Sequence, residues 1–265
     1  MKKYLILGNP LSHSLSPKLH NYWIKQNNLE GVYEAKETNE ESIKEVISDI
    51  KKGEIEGMNV TVPFKRKVIP YLDELSDLAN RVQSVNTVYK KDNKIIGENT
   101  DIEGFELGIK YAGFEIKNKT IFIIGAGGVV PSVLLSLINL GASKIYLSNR
   151  TLEKAQKLKI LFPEIKIIDW GNLPDFDVIL NATSLGLNEN DTINLDLNNL
   201  GNNKLFYDII YSPRQTKFLL TGKKLGHKIE NGLMMFLFQA QLSFEIWHGI
   251  KPKVDKKIVE ILEND

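Results

Sequence analysis

The chain has 265 residues, 42% hydrophobic, 25% charged and 9% aromatic, with 34 Lys plus Arg against 33 Asp plus Glu and a formal net charge of +1. At about 150 residues per domain this length fits one to two domains. The apolar content excludes a disordered chain, and the even charge balance gives no long-range pull toward nucleic acid or an anionic membrane. There is no cysteine, which removes disulfides, thiolate nucleophiles and cysteine-ligated metals. No apolar run approaches the ~18 residues of a spanning helix; the run from Leu233 to Phe238 stops at Gln239. The opening residues Met1 to Leu7 carry two lysines and a short apolar run. A secretory signal needs an apolar core of at least ~7 residues, so a cytoplasmic chain without a membrane partner is expected.

In chain order, Lys3 to Leu7 reads as a buried strand and Gly8 to Ser14 as a loop. Ser16 before Pro17 reads as a helix N-cap followed by a proline at the first helical position. Val32 to Ala35 is a short strand. Thr38 with Glu41 resembles a capping box. It precedes Ile43, Val46, Ile47 and Ile50, whose spacing makes one apolar helix face, and Gly53 ends that helix. Gly57 to Thr61 is a strand with Asn59 and Thr61 on one face and Val60 and Val62 on the other. Val85 to Tyr89 and Ile95 to Gly97 form a hairpin around Lys91-Asp92-Asn93. A helix runs from about Ile102 to Ala112.

The character then changes. Thr120 to Ile124 is a nearly continuous apolar run, as in a parallel strand covered on both faces. Glycines, a helix from about Val129 to Leu140 and a strand at Lys144 to Ser148 complete a βαβ unit. Further strands are expected at Ile165 to Ile168, Val178 to Asn181 and Leu205 to Ile209. Asn190 to Asn203 reads as a surface loop. Gly232 to His248 reads as a strongly apolar helix on which Gln239, Gln241 and Glu245 stand out.

Two constellations carry chemistry. Gly125-Ala126-Gly127-Gly128 follows a strand and opens a helix. In that context glycines let the backbone approach a pyrophosphate, and the helix N-terminus offers it free N–H groups. A glycine cluster also serves as a plain tight turn. Val130 stands at the sixth position of the pattern, where Gly or Ala is usual, and Pro131 is tolerated in the first helical turn. The next strand ends in Ser148-Asn149-Arg150-Thr151, with Lys154 one turn on. A site for NAD usually places a carboxylate there. A cation with hydrogen-bonding neighbours suits the 2′-phosphate of NADP instead. Thr151 also reads as a helix N-cap, and Arg150 as a surface charge.

The second constellation is Ser14, Ser16, Asn59, Thr61, Lys65, Asn86 and Asp101. Singly, each has an ordinary reading as a cap, a turn or a surface charge. Together they fall at strand ends, where ligands bind in open α/β sheets. Their hydroxyls and amides suit a polyhydroxylated acid, and a Lys–Asp pair can exchange a proton with a substrate hydroxyl. His13, His20, His227 and His248 fall in no ligand spacing, so no metal site is expected; His13 is read as a loop residue.

These stretches resemble, in order, the signatures of the shikimate dehydrogenase family. They are Gly8 to Pro17, Asn59 to Lys65, Val85-Asn86-Thr87, Asn99-Thr100-Asp101, Gly125 to Gly128, Asn149-Arg150-Thr151, Asn181 to Gly186, Tyr207 to Tyr211 and Asn231 to Trp247. The resemblance implies an α/β, two-domain fold. An N-terminal α/β substrate domain would take residues 1–102 and 236–265, and a Rossmann-like doubly wound parallel-sheet NADP-binding domain residues 103–235. The active site would lie in the cleft between them. The implied reaction is the reversible reduction of 3-dehydroshikimate to shikimate, a step toward aromatic amino acids, with NADP as cofactor. Lys65 and Asp101 would be the catalytic pair. Ser14, Ser16, Asn59, Thr61, Asn86, Tyr211 and Gln239 would hold the substrate. Asp77, Gly125, Ala126, Gly127, Gly128, Val129, Asn149, Arg150, Thr151, Lys154, Ile209 and Gly232 would hold the cofactor. Ile209 stands where the family often has Met. The implied chain is a monomer or a homodimer. A quinate-active relative using NAD would carry an acidic residue at the place of Arg150. A nucleotide binder without catalysis would have no need of Lys65 with Asp101.

Overall fold

The computed structural model describes every residue except His13, Glu189, Asn198, Asn199, Asn264 and Asp265. The loop reading of His13, and that of Asn190 to Asn203 at 198–199, therefore lie outside the described residues. The chain divides into two compact units, Met1–Gly104 with Leu237–Asp265, and Phe105–Phe236.

The first unit contains β1 (Lys2–Gly8), α1 (Ser16–Gln26), β2 (Gly31–Glu37), α2 (Ile43–Lys52), β3 (Gly57–Val60), β4 (Glu74–Leu75), α3 (Asp77–Val82), β5 (Thr87–Lys91), β6 (Lys94–Glu98) and the first turn of α4 (Asp101–Tyr111). Its strands form one sheet in the order β2-β1-β3-β5-β6-β4. β1 runs parallel to β2 and β3, while β5 is antiparallel to β3 and β6. The apolar stripe of α2 packs Ile43, Val46, Ile47 and Ile50 against Leu5, Leu7, Met58, Val60 and Val88 of the sheet. Each such side chain contributes about 1.5–3 kcal/mol on leaving water. Gly53 ends α2 in the left-handed conformation, φ 81°. The β5–β6 hairpin turns at Asp92 and Asn93, both at positive φ; such a turn matches the twist of the flanking strands.

Three local expectations are corrected. Ser16 is the first residue of α1 rather than its cap: Leu15 holds the cap position without a side-chain bond, and the Ser16 N–H faces Ser14 Oγ at 3.4 Å. The Thr38–Glu41 capping box does not form, because α2 starts at Ile43 with Ser42 at its cap. Asn39 Oδ1 accepts the Ser42 N–H at 3.1 Å. The two-faced alternation from Asn59 stops early. β3 ends at Val60, and Val62 is 55% exposed, because the chain turns before Pro63.

The second unit contains β7 (Thr120–Ile124), α5 (Val130–Asn139), β8 (Lys144–Ser148), α6 (Leu152–Leu161), β9 (Lys166–Ile167), β10 (Val178–Asn181), β11 (Leu205–Asp208), α7 (Lys217–Lys224) and β12 (Lys228–Glu230), leading into α8 (Leu233–His248). The later part of α8 and α9 (Lys256–Glu263) belong to the first unit. The second sheet has the order β12-β11-β10-β7-β8-β9, with every pair parallel. This is the doubly wound order, and the winding reverses between β7 and β10, where such sheets open a crevice at their carboxyl ends. β8 and β10 have the bounds their sequence predicts. β4, β12, α3, α7 and α9 are not predicted, since strands of two or three residues and short helices carry too few periods to register.

Candidate active site and dinucleotide site

In the first unit, the chain after β3 folds into a tight turn that fixes Lys65. The Phe64 N–H donates to Thr61 O at 2.8 Å, and Lys65 O accepts the Val85 N–H at 2.8 Å. Phe64 is buried beneath it. Asp101 opens α4, where the helix dipole favours a carboxylate. Lys65 Nζ donates to Asp101 Oδ2 at 2.5 Å, with the two side chains 11% and 6% exposed. A charge pair so removed from water is little screened and is joined by a charge-assisted hydrogen bond.

Asn86 organises this pair. Its Nδ2 lies within reach of Asp101 Oδ1 (3.0 Å), Thr100 Oγ1 (2.9 Å) and Gln239 Oε1 (3.2 Å). Its Oδ1 accepts the Thr100 N–H at 2.8 Å. Gln239 gets close through Gly104, one turn beyond Asp101: a Cβ there would meet Gln239 N at 2.8 Å. Asn59 is occupied at both polar atoms. Tyr33 Oη donates to its Oδ1 at 2.7 Å, and its Nδ2 donates to Asn86 O, Thr87 Oγ1 and Ser243 Oγ at 3.0, 3.2 and 3.0 Å. Asn59, 6% exposed, thus also braces Asn86 from below. Ser14 stands in the loop after β1, Ser16 opens α1, and Thr61 follows the end of neighbouring β3. Gly8 brings these ends together, since a Cβ there would meet Thr61 Cγ2 at 2.4 Å.

Tyr33, Thr87, Thr100, Gly104 and Ser243 complete the network without having been singled out in the sequence. Thr87 and Thr100 lie inside motifs that were read. Ser243 had a usable signal: it follows Gln239 by four residues on an apolar helix, so the two share a face. It donates to Gln239 O at 3.0 Å. His20, buried nearby, stacks on Tyr33 at 4.2 Å between ring centroids. Burial, with His248 adding to it, lowers its pKa to about 3.

The second unit gathers the glycine turn at the reversal point of its sheet. Gly125 has φ 113°, and a Cβ on it would stand 2.7 Å from Ala182 O, just beyond β10. Only glycine fits there. Gly127 and Gly128 are exposed, Ala126 and Val129 half-buried, at the start of α5. Val130 is fully buried, so the bulky sixth residue serves the core. After β8, Asn149 Nδ2 donates to Thr151 O at 2.7 Å, and Arg150, Thr151 and Lys154 are exposed. Thr151 occupies the cap position of α6, yet its hydroxyl makes no cap bond. A glycine turn with Gly127 and Gly128 exposed, a helix N-terminus, and exposed Arg150 and Lys154 with no carboxylate from Ser148 to Leu152 fit the pyrophosphate and 2′-phosphate of NADP. Gly232 is pressed on the end of β11, where a Cβ would lie 1.9 Å from Ile209 O. Tyr211 stacks on Phe236 with ring centroids 4.6 Å apart. Asp77 is the outlier among the cofactor candidates: it is exposed in the first turn of α3, in the other unit. Among the described residues no group of three or more His, Asp or Glu could hold a metal ion.

Residues 6–88 match the family profile of the shikimate dehydrogenase substrate binding domain, and residues 106–216 that of shikimate / quinate 5-dehydrogenase. The shikimate dehydrogenase (NADP(+)) of Pelagibacter ubique (strain HTCC1062) is 52% identical over 262 residues, 99% of each chain. The crystal structure of shikimate dehydrogenase from Aquifex aeolicus superposes with a TM-score of 0.90 at 37% identity, covering 100% of this chain and 98% of that one. Shikimate 5-dehydrogenase of Thermus thermophilus, solved in complex with NADP(H) and shikimate, gives 0.90 at 30% identity, with 100% and 99% covered. The agreement runs over nearly the whole length, and the chain belongs to the shikimate dehydrogenase family of NADP-dependent oxidoreductases.

Proposed function

We propose that, in the reversible reduction of 3-dehydroshikimate to shikimate, Lys65 and Asp101 handle the proton. NADP, when bound, carries the hydride. In the reducing direction Lys65 gives a proton to the substrate oxygen as its negative charge develops, and Asp101 keeps the amine aimed through its remaining N–H. In the oxidising direction the pair takes the hydroxyl proton. Ser14, Ser16, Asn59, Thr61, Asn86, Gln239 and Tyr211 bind the carboxylate and hydroxyls of the substrate, and Asn59 also braces Asn86. Gly125 to Val129 cradle the pyrophosphate, Asn149, Arg150, Thr151 and Lys154 the 2′-phosphate end, and Ile209 and Gly232 the nicotinamide. Asp77 is assigned to the cofactor by resemblance alone. The substrate domain is residues 1–102 with 236–265, and the NADP domain residues 103–235.

The observation that carries this reading is the buried 2.5 Å contact of Lys65 with Asp101, tied to Asn86 and Gln239. No helix among the described residues is long and apolar enough to cross a membrane, and the proposed setting is the cytoplasm, with a monomer or homodimer as the working species. Initial rates with shikimate and quinate, each with NADP and NAD, test the assignment. Shikimate with NADP is expected to be the best pair. A preference for quinate with NAD overturns it.

A further inference from the structure

Asp208 ends β11 and is fully buried. Its three hydrogen-bond partners are all neutral. Asn181 Nδ2 and the Ile210 N–H donate to its Oδ1, each at 3.0 Å, and Thr216 Oγ1 donates to its Oδ2 at 2.6 Å. Each partner anchors a separate stretch of the second unit. Asn181 Oδ1 accepts the Thr183 N–H and hydroxyl at 3.0 and 2.7 Å, which shapes the loop packed on Gly125. Ile210 leads to Tyr211, and its carbonyl accepts the Gly232 N–H at 3.2 Å. Thr216 caps α7, accepting the Leu219 N–H at 3.3 Å. Burial pushes the Asp208 carboxyl up to about 6 against the pull of these bonds, so the site keeps an ionisable group at a cost that an apolar residue would avoid.

We propose that Asp208 is a positioning residue for the cofactor: it holds Ile209–Tyr211 against Gly232 so that the nicotinamide end of NADP is presented in register for hydride transfer. The inference rests on the assignment of Ile209 and Gly232 to the nicotinamide. Asp208→Asn keeps one acceptor oxygen for Asn181 and Ile210 but turns an NH2 toward Thr216 Oγ1, whose own proton then loses its acceptor. Thr216→Val removes the same bond from the other side, and Thr216→Ser keeps it.

The test measures kcat, the NADP+ dissociation constant by titration calorimetry, the isotope effect with shikimate deuterated at the reacting carbon, and backbone hydrogen exchange without ligand. In Asp208→Asn and Thr216→Val, kcat is expected to fall about 10- to 100-fold, the scale of a misplaced reactant. The isotope effect should rise, exchange around Ile209–Tyr211 should quicken, and NADP+ affinity should fall far less than kcat, because both variants keep the oxygen to which Asn181 donates and so the loop on Gly125. Thr216→Ser should restore kcat. A lowered melting temperature with unchanged kcat makes Asp208 a fold anchor only and overturns the proposal. So does an NADP+ affinity that falls in step with kcat, or a failure of Thr216→Ser to rescue. A wild-type protein inactive on shikimate instead overturns the functional reading, a separate result from any change among the variants.

Discussion

Replacing Lys65 by Met removes the ammonium and keeps the aliphatic stem. The structure separates two consequences. Asp101, with a side chain 6% exposed, keeps the Asn86 Nδ2 bond at 3.0 Å and loses its cationic partner. Breaking a buried pair from one side costs up to about 3–5 kcal/mol, so the variant should melt earlier. The catalytic loss is distinct: a positioned proton donor is worth about 10²- to 10⁴-fold, or about 3–5 kcal/mol of barrier at 1.36 kcal/mol per decade. Substrate KM should hardly move if, as proposed, hydroxyl and amide side chains elsewhere in the network carry binding. Lys65→Arg keeps the charge pair but holds its proton too tightly to give it up. It should keep stability and still lose turnover. Adding Asp101→Asn to Lys65→Met should cost little more, as for groups acting as one unit. The assay follows the absorbance of the reduced nicotinamide under saturating substrate. Turnover of Lys65→Met and Lys65→Arg within about threefold of wild type would refute the argument, since no general acid contributes so little.

Arg150→Asp should lower the ratio of NADPH to NADH efficiencies by about 10- to 100-fold, because a carboxylate there repels the 2′-phosphate and welcomes a ribose hydroxyl; an unchanged ratio removes Arg150 from cofactor choice. Gly232→Ala places a Cβ 1.9 Å from Ile209 O, a backbone atom that cannot swing aside, so about 1–3 kcal/mol of stability or more should go, read as a lower melting temperature together with weaker NADP+ binding. His20 is held neutral with its pKa near 3 against 6.5 when free. Its unfolded form therefore takes up protons first, and stability is full above about pH 6.5 and falls toward acid by up to about 1.4 kcal/mol per pH unit. The acid-side slope of denaturant melts between pH 4 and 7 (about one proton's worth) should flatten in His20→Phe; an equal slope in both proteins rejects the sign or the group.

Local chemistry made much of this protein legible. The stripe Ile43, Val46, Ile47 and Ile50 gives α2 by period alone, and the run Thr120 to Ile124 followed by glycines gives β7 and the turn after it. Asp92 and Asn93 suit the positive φ of their hairpin. The first helix entries show the limit of such signals. Thr38–Glu41 has the composition of a capping box, yet Asn39 supplies the bond that counts, and which polar side chain wins depends on the path of the chain into the helix.

The sequence by itself determined the second unit's parallel core and the glycine turn and singled out Lys65 and Asp101 as candidates, because these follow from periodicity, from the φ that only glycine accepts, and from residue chemistry. Tertiary structure alone decided who stands beside whom. Lys65 meets Asp101 across 36 positions, Asn86 meets Gln239 across 153, and Asn59 meets Ser243 across 184. No period or spacing encodes contacts at such separations. They arise only when the sheet order sets β3 beside β5 and Gly104 in α4 admits α8, which is why Ser243 came to notice only in the structure.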